Sequence, residues 1–191
     1  MKTLVFATNN KHKIEEVKAI LGNQFQLRSL DDIGCNVDIP ETGATFKENA
    51  SLKTQYIKEI YGLDSIGDDS GLVVEALNNE PGIYSARYSG SRDMDKNIAL
   101  LLSNLQEQDN RRASFVTVIS LILEGENYSF EGRIDGHITN EILGVGGFGY
   151  DPVFIPDGYT KTFAQMNSIE KNQISHRAIA VNKLAKFLRS L

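Results

Sequence analysis

The stretch ASFVTVISLILEG, residues 113–125, is rich in β-branched and other apolar residues. A run of this kind and length predicts a long strand in the middle of a sheet. The segment YSFEGRIDGHI, residues 128–138, follows it across the turn EGEN and predicts an antiparallel neighbour. Two long paired strands are therefore expected at the centre of the fold.

Shorter elements surround this pair and alternate between strand and helix. Thr45, with Glu48 three residues later, predicts a capping box at the start of the second helix. Strands are expected at residues 4–7, at 72–77, and from residue 64 through 67 to the acidic pair. Helices are expected at residues 14–21, 45–61, 92–106 and 174–188. This order predicts an α/β protein with an elongated mixed sheet, and a length of 191 residues predicts a single domain, 1–191.

Composition restricts the class of protein. The formal net charge of −5 argues against a broad nucleic-acid surface. Cys35 is the one cysteine, so no intrachain disulfide can form and a reducing cytosol is the expected compartment. The apolar run near the N-terminus is too short for a signal peptide, and no stretch is apolar enough to span a bilayer. We therefore expect a cytoplasmic protein without nucleic-acid or membrane partners.

The segment IGDDSGL, residues 66–72, places two aspartates, Asp68 and Asp69, side by side. A DDSG segment can be a polar surface turn whose side chains bond nearby backbone groups. It can also hold magnesium, because this hard cation takes carboxylate oxygens and keeps several waters. Glu41, in a loop before the second helix, offers a third carboxylate for such a site. The residues alone leave both interpretations open.

Lys53 interrupts the apolar stripe of the second helix, where residues 46, 50, 57 and 60 are apolar. A lysine at such a position can lay its stem along the apolar surface and reach water. Alternatively, it points into a cleft to meet an anion. Taken alone, the spacing favours the lysine that reaches water.

The opening loop ATNNKHK, residues 7–13, joins the first strand to the first helix. Free backbone N–H groups and the helix dipole at a helix N-terminus attract phosphate, and Lys11 and Lys13 add positive charge. The glycine-rich lysine motif of P-loop proteins is missing, so that class is not expected. A basic surface loop is the alternative.

The segment GVGGFGYDP, residues 144–152, has four glycines around two aromatic residues. This density suits backbone that approaches a ligand closely or takes positive φ. An aromatic residue on such a loop, Phe148 or Tyr150, is a candidate platform for a nucleobase. Filling of the core by Phe148 and Tyr150 is the alternative.

The segment EKNQISHR, residues 170–177, places Lys171, His176 and Arg177 just before or at the start of the last helix. Cations at a helix N-terminus oppose the helix dipole and cost a little stability. An anion or a ligand acceptor facing them would offset that cost, whereas a solvated surface position is the ordinary alternative.

Taken together, the motifs resemble the inosine triphosphate pyrophosphatase family of non-canonical purine nucleoside triphosphate pyrophosphatases. The resemblance rests on the opening TNNxxK, on ETGxTFxENAxxK, on DDSGLxVxxLxxxPGIYSARYSG, on GGFGYDPxF and on EKxxISHR. Each motif is weak alone, but the five occur in order over nearly the whole chain. One departure is Asn9, where the family often has glycine.

The resemblance implies two α/β lobes around a central cleft that contains the active site. It also implies an enzyme that hydrolyses dITP, ITP and XTP to the monophosphate and pyrophosphate, using Mg2+, and thereby cleanses the nucleotide pool. A homodimer is expected. Two alternatives are a nucleotide-binding regulator without catalysis and a nucleotide phosphatase that releases orthophosphate.

The resemblance also implies roles for residues that match its motifs. Asp69 is the expected general base, and Asp68 is either a second metal ligand or a neighbour that raises the pKa of Asp69 by like-charge repulsion. The expected magnesium ligands are Glu41, Asp69 and Asp68. The expected substrate-binding residues are Thr8, Asn9, Asn10, Lys11, His12, Lys13, Lys53 and Ser70 and, for the base, Phe148, Gly149, Tyr150, Asp151, Lys171, His176 and Arg177.

Overall fold

The computed structural model describes residues 2–21 and 25–191, without the side chains of Lys2, His12 and Glu16. The prediction for the His12 side chain therefore lies outside the described residues. The strands are β1 (Lys2–Phe6), β2 (Phe25–Arg28), β3 (Ser65–Val74), β4 (Arg112–Leu123), β5 (Glu126–Ile138) and β6 (Phe154–Pro156). The helices are α1 (Lys11–Leu21), α2 (Phe46–Tyr61), α3 (Met94–Asn104), α4 (Ser168–Ile174) and α5 (His176–Arg189).

The strands of the described residues form one mixed sheet in the order β2-β1-β3-β4-β5-β6. β1 is parallel to both β2 and β3, whereas β5 and β6 are antiparallel. Glu124 and Gly125 join β4 to β5 with φ values of 53° and 89°. Positive φ at both residues of a two-residue turn is typical of a tight hairpin. The predicted α/β class and the long central strand pair are confirmed.

The prediction that a strand ends at the acidic pair is wrong. β3 runs from Ser65 through both aspartates to Val74, and a short 3-10 turn, Glu75–Leu77, follows. Successive side chains of a strand point to opposite faces of the sheet, so adjacent carboxylates need not face each other. The strand can continue through Asp68 and Asp69 because each carboxylate has its own hydrogen-bonding or ionic partners.

The start of α2 confirms half of the predicted capping box. Thr45 is the N-cap, and its side chain accepts a hydrogen bond from the backbone N–H of Glu48 over 3.1 Å. The Glu48 carboxylate, however, accepts from the N–H of Ala44 over 2.6 Å instead of from the cap residue. The predicted last helix, 174–188, is confirmed as α5, which begins at His176; Ser175 separates it from α4, a short helix that the sequence pattern did not predict.

The chain divides into two compact units, each with its own apolar core. The first unit comprises Met1–Asp69, Thr117–Gly132 and Arg177–Leu191. One of its clusters packs β1, β3 and β4 residues against α1 and α5. No helix in the described part of the chain has the length and apolar character needed to cross a membrane.

The second unit comprises Ser70–Val116 and Arg133–His176. Its core collects aromatic side chains: Phe115 lies edge-on to Phe154, with ring centroids 4.7 Å apart, and stacks on Phe163 at 5.9 Å. The single domain of residues 1–191 and the position of the active site in a cleft stay predictions.

Candidate active site

The two faces of β3 meet different helices of the first unit. Ile66 belongs to the cluster that includes Val17 of α1 and Ala180 of α5. Gly67 faces α2 so closely that an added Cβ atom would lie 2.5 Å from the carbonyl oxygen of Ala50. Because side chains alternate along a strand, Asp68 shares the face of Ile66 and Asp69 shares that of Gly67. The acidic pair is therefore divided over two faces.

Asp68 lies between two cations. Its side chain is 1% exposed, and its Oδ2 atom lies 2.9 Å from Lys13 Nζ and 3.7 Å from Arg177 Nε. Burial by itself raises the pKa of this carboxyl, but the charges of Lys13 and Arg177 outweigh burial and hold its pKa at about 2. Burial lowers the pKa of Lys13, although Asp68 opposes that shift. Asp68 is thus a buried anion matched by buried cations.

Asp69 lies in a less compensated environment. It is 6% exposed, and its Oδ2 atom accepts a hydrogen bond from Asn49 Nδ2 over 3.0 Å. Burial raises its pKa to about 6, against the opposing effects of Lys53 and Asn49. Repulsion from Asp68 was one expected cause of a raised pKa, but burial is the largest cause, with a smaller contribution from Glu41.

Lys53 turns inward from α2. It is 9% exposed, donates from Nζ to the backbone oxygen of Asp68 over 2.7 Å, and forms an ion pair with Glu41. Burial lowers its pKa, but the Asp68 and Glu41 carboxylates outweigh burial and raise it above the ordinary value. The alternative of a lysine that extends to solvent is wrong, and the interrupted stripe marks a buried ionic site.

Glu41 and Asp69 are two carboxylates whose oxygens could serve as hard donors for a metal ion. Both carboxylates act electrostatically on Lys53, and Glu41 also acts on Asp69. Among the described residues there is no group of three or more His, Cys, Asp or Glu side chains placed to hold a metal. Mg2+ is usually bound by one or two carboxylates, several waters and substrate phosphates. A pair of hard oxygen donors therefore fits Mg2+.

The opening loop caps α1 with its own side chains. Thr8 Oγ1 accepts from the N–H of Asn10 over 3.1 Å, and Asn10 Oδ1 accepts from the N–H of Lys13 over 3.3 Å. Asn9 and Lys11 are exposed. The loop thereby fixes the first turn of α1, from which the Lys13 side chain reaches Asp68.

A second cluster lies in the second unit, around the glycine-rich loop. Asp151 Oδ2 accepts from Lys171 Nζ over 2.6 Å and from the N–H of Phe148 over 2.8 Å. Lys171 Nζ also lies 4.4 Å from the centroid of the Phe148 ring, within cation–π range. Three glycines of the loop have positive φ, as expected: Gly144, Gly147 and Gly149. The structure therefore brings the predicted Phe148, Asp151 and Lys171 together.

Tyr150 points into the core of the second unit. It is 3% exposed, and its hydroxyl donates to the carbonyl oxygen of Ser85 over 2.9 Å. Ser85 Oγ in turn accepts from the N–H of Leu72 on β3 over 2.9 Å. His176 is also buried and stacks on Phe115, with ring centroids 4.7 Å apart. Tyr150 thus anchors the loop, as the core-filling alternative predicts.

A model of the Ham1 family matches residues 4–187. The chain belongs to the Ham1 family. It is 50% identical to the dITP/XTP pyrophosphatase of Porphyromonas gingivalis, over 98% of this chain and 98% of that protein. The resemblance predicted from the five motifs is confirmed.

Solved Ham1 structures have the same fold. The Ham1 protein of Staphylococcus aureus matches with a TM-score of 0.93 and 42% identity, over 99% of each chain. A HAM1 protein of Coxiella burnetii matches with a TM-score of 0.94 and 35% identity, over 100% of each chain.

Sequence reasoning about this Ham1-family chain missed Asn49. The residue is fully buried and donates to Asp69, yet it was not among the predicted site residues. A signal was present: Asn49 and Lys53 are four residues apart, so they occupy one face of α2. Two polar residues on the buried face of a helix indicate a polar site more strongly than Lys53 alone.

Proposed function

We propose that this chain hydrolyses non-canonical purine nucleoside triphosphates, dITP, XTP and ITP, to the nucleoside monophosphate and pyrophosphate. The curated relatives that carry the name dITP/XTP pyrophosphatase are 45–50% identical over nearly the full chain. This level of identity, together with the arrangement of the motif residues in the fold, supports the proposal that this chain has the activity for which those relatives are named. Removal of such nucleotides would keep them out of DNA and RNA.

The observation that carries the proposal is the set of cations buried around β3. Lys13, Lys53 and Arg177 are at most 15% exposed at their side chains, and each lies beside a carboxylate. A triphosphate is a compact, highly charged anion that such cations bind and orient. We assign all three to the triphosphate, so Arg177 moves from the expected base pocket to the phosphate side. Asp68 holds Lys13 and Arg177 in place and is not assigned to the metal.

Asp69 is proposed as the general base for the attacking water. A carboxyl with a pKa of about 6 is ionised at neutral pH and is more basic than an ordinary aspartate. Glu41 and Asp69 would hold Mg2+. The bound ion would neutralise charge on the phosphate oxygens and align the α-phosphorus with water. Pyrophosphate is then the leaving group, and no covalent intermediate with the protein is needed.

Lys171 and Phe148 are proposed to recognise the base. The Phe148 ring offers a stacking face, and Lys171 offers N–H donors to the 6-oxo group of hypoxanthine or xanthine. Adenine carries a 6-amino donor at that position, so a cationic donor would face it without an acceptor. An unmatched polar group in a closed pocket costs about 1–3 kcal/mol. Discrimination against ATP would follow.

The test is a product assay. Wild-type protein is incubated with Mg2+ and separately with dITP, XTP, ITP, GTP and ATP, and pyrophosphate and orthophosphate are measured independently. We expect pyrophosphate from the first three substrates, in preference to ATP. Orthophosphate as the first product would favour the phosphatase alternative, and tight nucleotide binding without turnover would favour the regulator. Turnover of ATP equal to that of ITP would contradict the proposed base recognition.

A variant tests the role of Lys171. Lys171→Met should reduce kcat/KM for dITP by about 10-fold to 100-fold, the effect of one lost discriminating polar contact. The same change should leave the low activity on dATP nearly unaltered, so the ratio of the two substrates falls. Lys96→Met, at an exposed lysine of α3, is the control.

The homodimer and the cytoplasmic location stay predictions, to be checked by light scattering and by cell fractionation.

A further inference from the structure

The Asn49 side chain joins two segments that carry carboxylates. Its Nδ2 atom donates to Asp69 Oδ2 over 3.0 Å, and its Oδ1 atom accepts from the N–H of Gly43 over 2.8 Å. Gly43 lies two residues after Glu41, in the loop that precedes α2. One buried amide therefore connects the Glu41 loop to strand β3.

The chemistry of an amide suits this place. One end of the group donates and the other accepts, so a carboxylate and a backbone N–H are satisfied together. Leucine has a similar size but can do neither, and aspartate can accept from Gly43 but cannot donate to an ionised Asp69. Asparagine also has low helix propensity, and here it is fully buried in the first turns of α2. The hydrogen bonds of Asn49 to Asp69 and Gly43 thus outweigh the low helix propensity of asparagine at this position.

Glu41 is held from a second direction. Its carboxylate forms an ion pair with Lys53, which lies one helical turn after Asn49 on the same face of α2. The close approach of α2 to β3 at Gly67 brings both side chains to the strand. Two consecutive turns of one helix therefore fix Glu41 and Asp69 relative to each other.

We propose that Asn49 is a positioning residue that sets the separation of the Glu41 and Asp69 carboxylates and thereby the affinity of the site for a divalent cation. The inference rests on the proposed function, since it takes these two carboxylates as the metal ligands. Hydrogen-bond partners of metal ligands typically change metal affinity or activity by about 10-fold to 100-fold when they are removed. Asn49 touches neither the phosphates nor the reacting water in this assignment.

The test compares Asn49→Leu with a matched control on the same helix. Thr54 is also fully buried in α2, and its hydroxyl bonds to Ser51 and Ser120 but not to either carboxylate. Binding of Mn2+ alone is measured by electron paramagnetic resonance of the free ion. The Mg2+ concentration that gives half-maximal dITP hydrolysis is measured at saturating nucleotide.

We expect Asn49→Leu to weaken Mn2+ binding about 10-fold or more and to raise the half-maximal Mg2+ concentration by a similar factor. Excess Mg2+ should restore much of the lost kcat. Thr54→Val should lower thermal stability but leave both metal measurements within about twofold of wild type. If Asn49→Leu does not fold, Asn49→Ala, which removes the same donor and acceptor without adding a branched side chain, takes its place.

Unchanged Mn2+ affinity in a folded Asn49 variant would overturn the inference, and so would an equal loss in Thr54→Val. Wild-type protein that binds no Mn2+ would also overturn it. Failure of the proposed function has a different outcome: Mn2+ binding would still depend on Asn49, but no nucleotide would yield pyrophosphate.

Discussion

The two faces of β3 shift the pKa values of two aspartates in opposite directions. On one face Asp68 is matched by Lys13 and Arg177, and its pKa is about 2. On the other face Asp69 receives a neutral amide from Asn49, and its pKa is about 6. The difference arises from strand alternation, which sends adjacent side chains to different helices.

This contrast gives the acidic pair two separate tasks. A carboxylate that is neutralised by two buried cations holds those cations in place, and its removal would leave them buried without a counter-charge. A carboxylate that is buried with less compensation is destabilised as an anion, which makes it a stronger base and ligand. Four predictions follow from this division, and each would break or sharpen it.

The largest effect is expected from Asp69→Asn. Turnover of dITP should fall at least about 10,000-fold, about 5.5 kcal/mol in the barrier, because one change removes a residue proposed both as the base and as a metal ligand. The fold should remain, since asparagine can still accept from Asn49. Steady-state kinetics with circular dichroism checks both points. Asp64→Asn, at the residue before β3 that pairs with Lys58, is the control, and near-normal turnover in Asp69→Asn would refute the assignment.

Asp68→Asn should instead act on stability. The change leaves Lys13 and Arg177 buried without their anion, and loss of one partner of a buried ion pair costs about 3–5 kcal/mol. Urea denaturation at neutral pH measures the free energy of unfolding. Asp157→Asn breaks an exposed pair with Arg112 and should cost far less, because solvent screens exposed ion pairs. Equal losses of unfolding free energy in the two variants would mean that removing Asp68 is no more destabilising than breaking an exposed ion pair.

The pH dependence of stability should separate the faces in metal-free protein. Asp69 binds its proton more tightly when folded, so its contribution to stability is greatest below about pH 4 and is lost as pH rises to about 6. Asp69→Asn removes this loss, so the free energy of unfolding of the variant relative to wild type should rise by about 2 kcal/mol from pH 4 to pH 7. Asp68 behaves oppositely: its contribution is lost as pH falls from about 4 to about 2. Urea denaturation at several pH values in EDTA is the measurement, and a constant difference between wild type and Asp69→Asn would contradict the prediction.

The smallest effect is expected from Gly67→Ala. The added methyl group would contact Ala50 and Lys53, and overpacking at a tight contact costs about 2 kcal/mol. Because α2 must move away from β3, the Asn49–Asp69 hydrogen bond should lengthen and kcat should fall more than stability alone explains. Thermal denaturation and kcat at a temperature where the variant is fully folded measure the two effects. An increase in stability would mean that the helix and strand are less closely packed at this point.

The sequence carried much of this site. The apolar stripe around Lys53 by itself favoured a lysine that reaches solvent, and the structure shows a buried ion pair instead, whereas the ordered motifs correctly predicted the family. The continuation of β3 through Asp68 and Asp69 was not predictable from local pattern, because two adjacent carboxylates are favourable in a strand only when partners distant in sequence face each one. Those partners, Lys13 and Asn49, are set by tertiary packing.

The second unit shows the same limit. Phe148 and Tyr150 were equally good candidates for stacking and for core filling, since both are aromatic and both follow glycine. Their different positions depend on a hydrogen bond from Tyr150 to Ser85, and no spacing rule relates residues so far apart. Likewise, the Glu48 carboxylate bonds to the N–H of Ala44, a choice between neighbouring backbone donors that the capping-box pattern does not resolve.

Ser85 has a consequence for how the glycine-rich loop can change in length. Its main-chain oxygen holds Tyr150, and its hydroxyl holds the N–H of Leu72, so the end of the loop is fixed to β3. Residues inserted near the exposed Val145 would extend the solvent-facing part of the loop and leave this anchor intact. One residue inserted between Phe148 and Tyr150 would instead shift the Phe148 ring relative to the hydrogen bond between Tyr150 and Ser85. Length variation in this loop should therefore be confined to its first half.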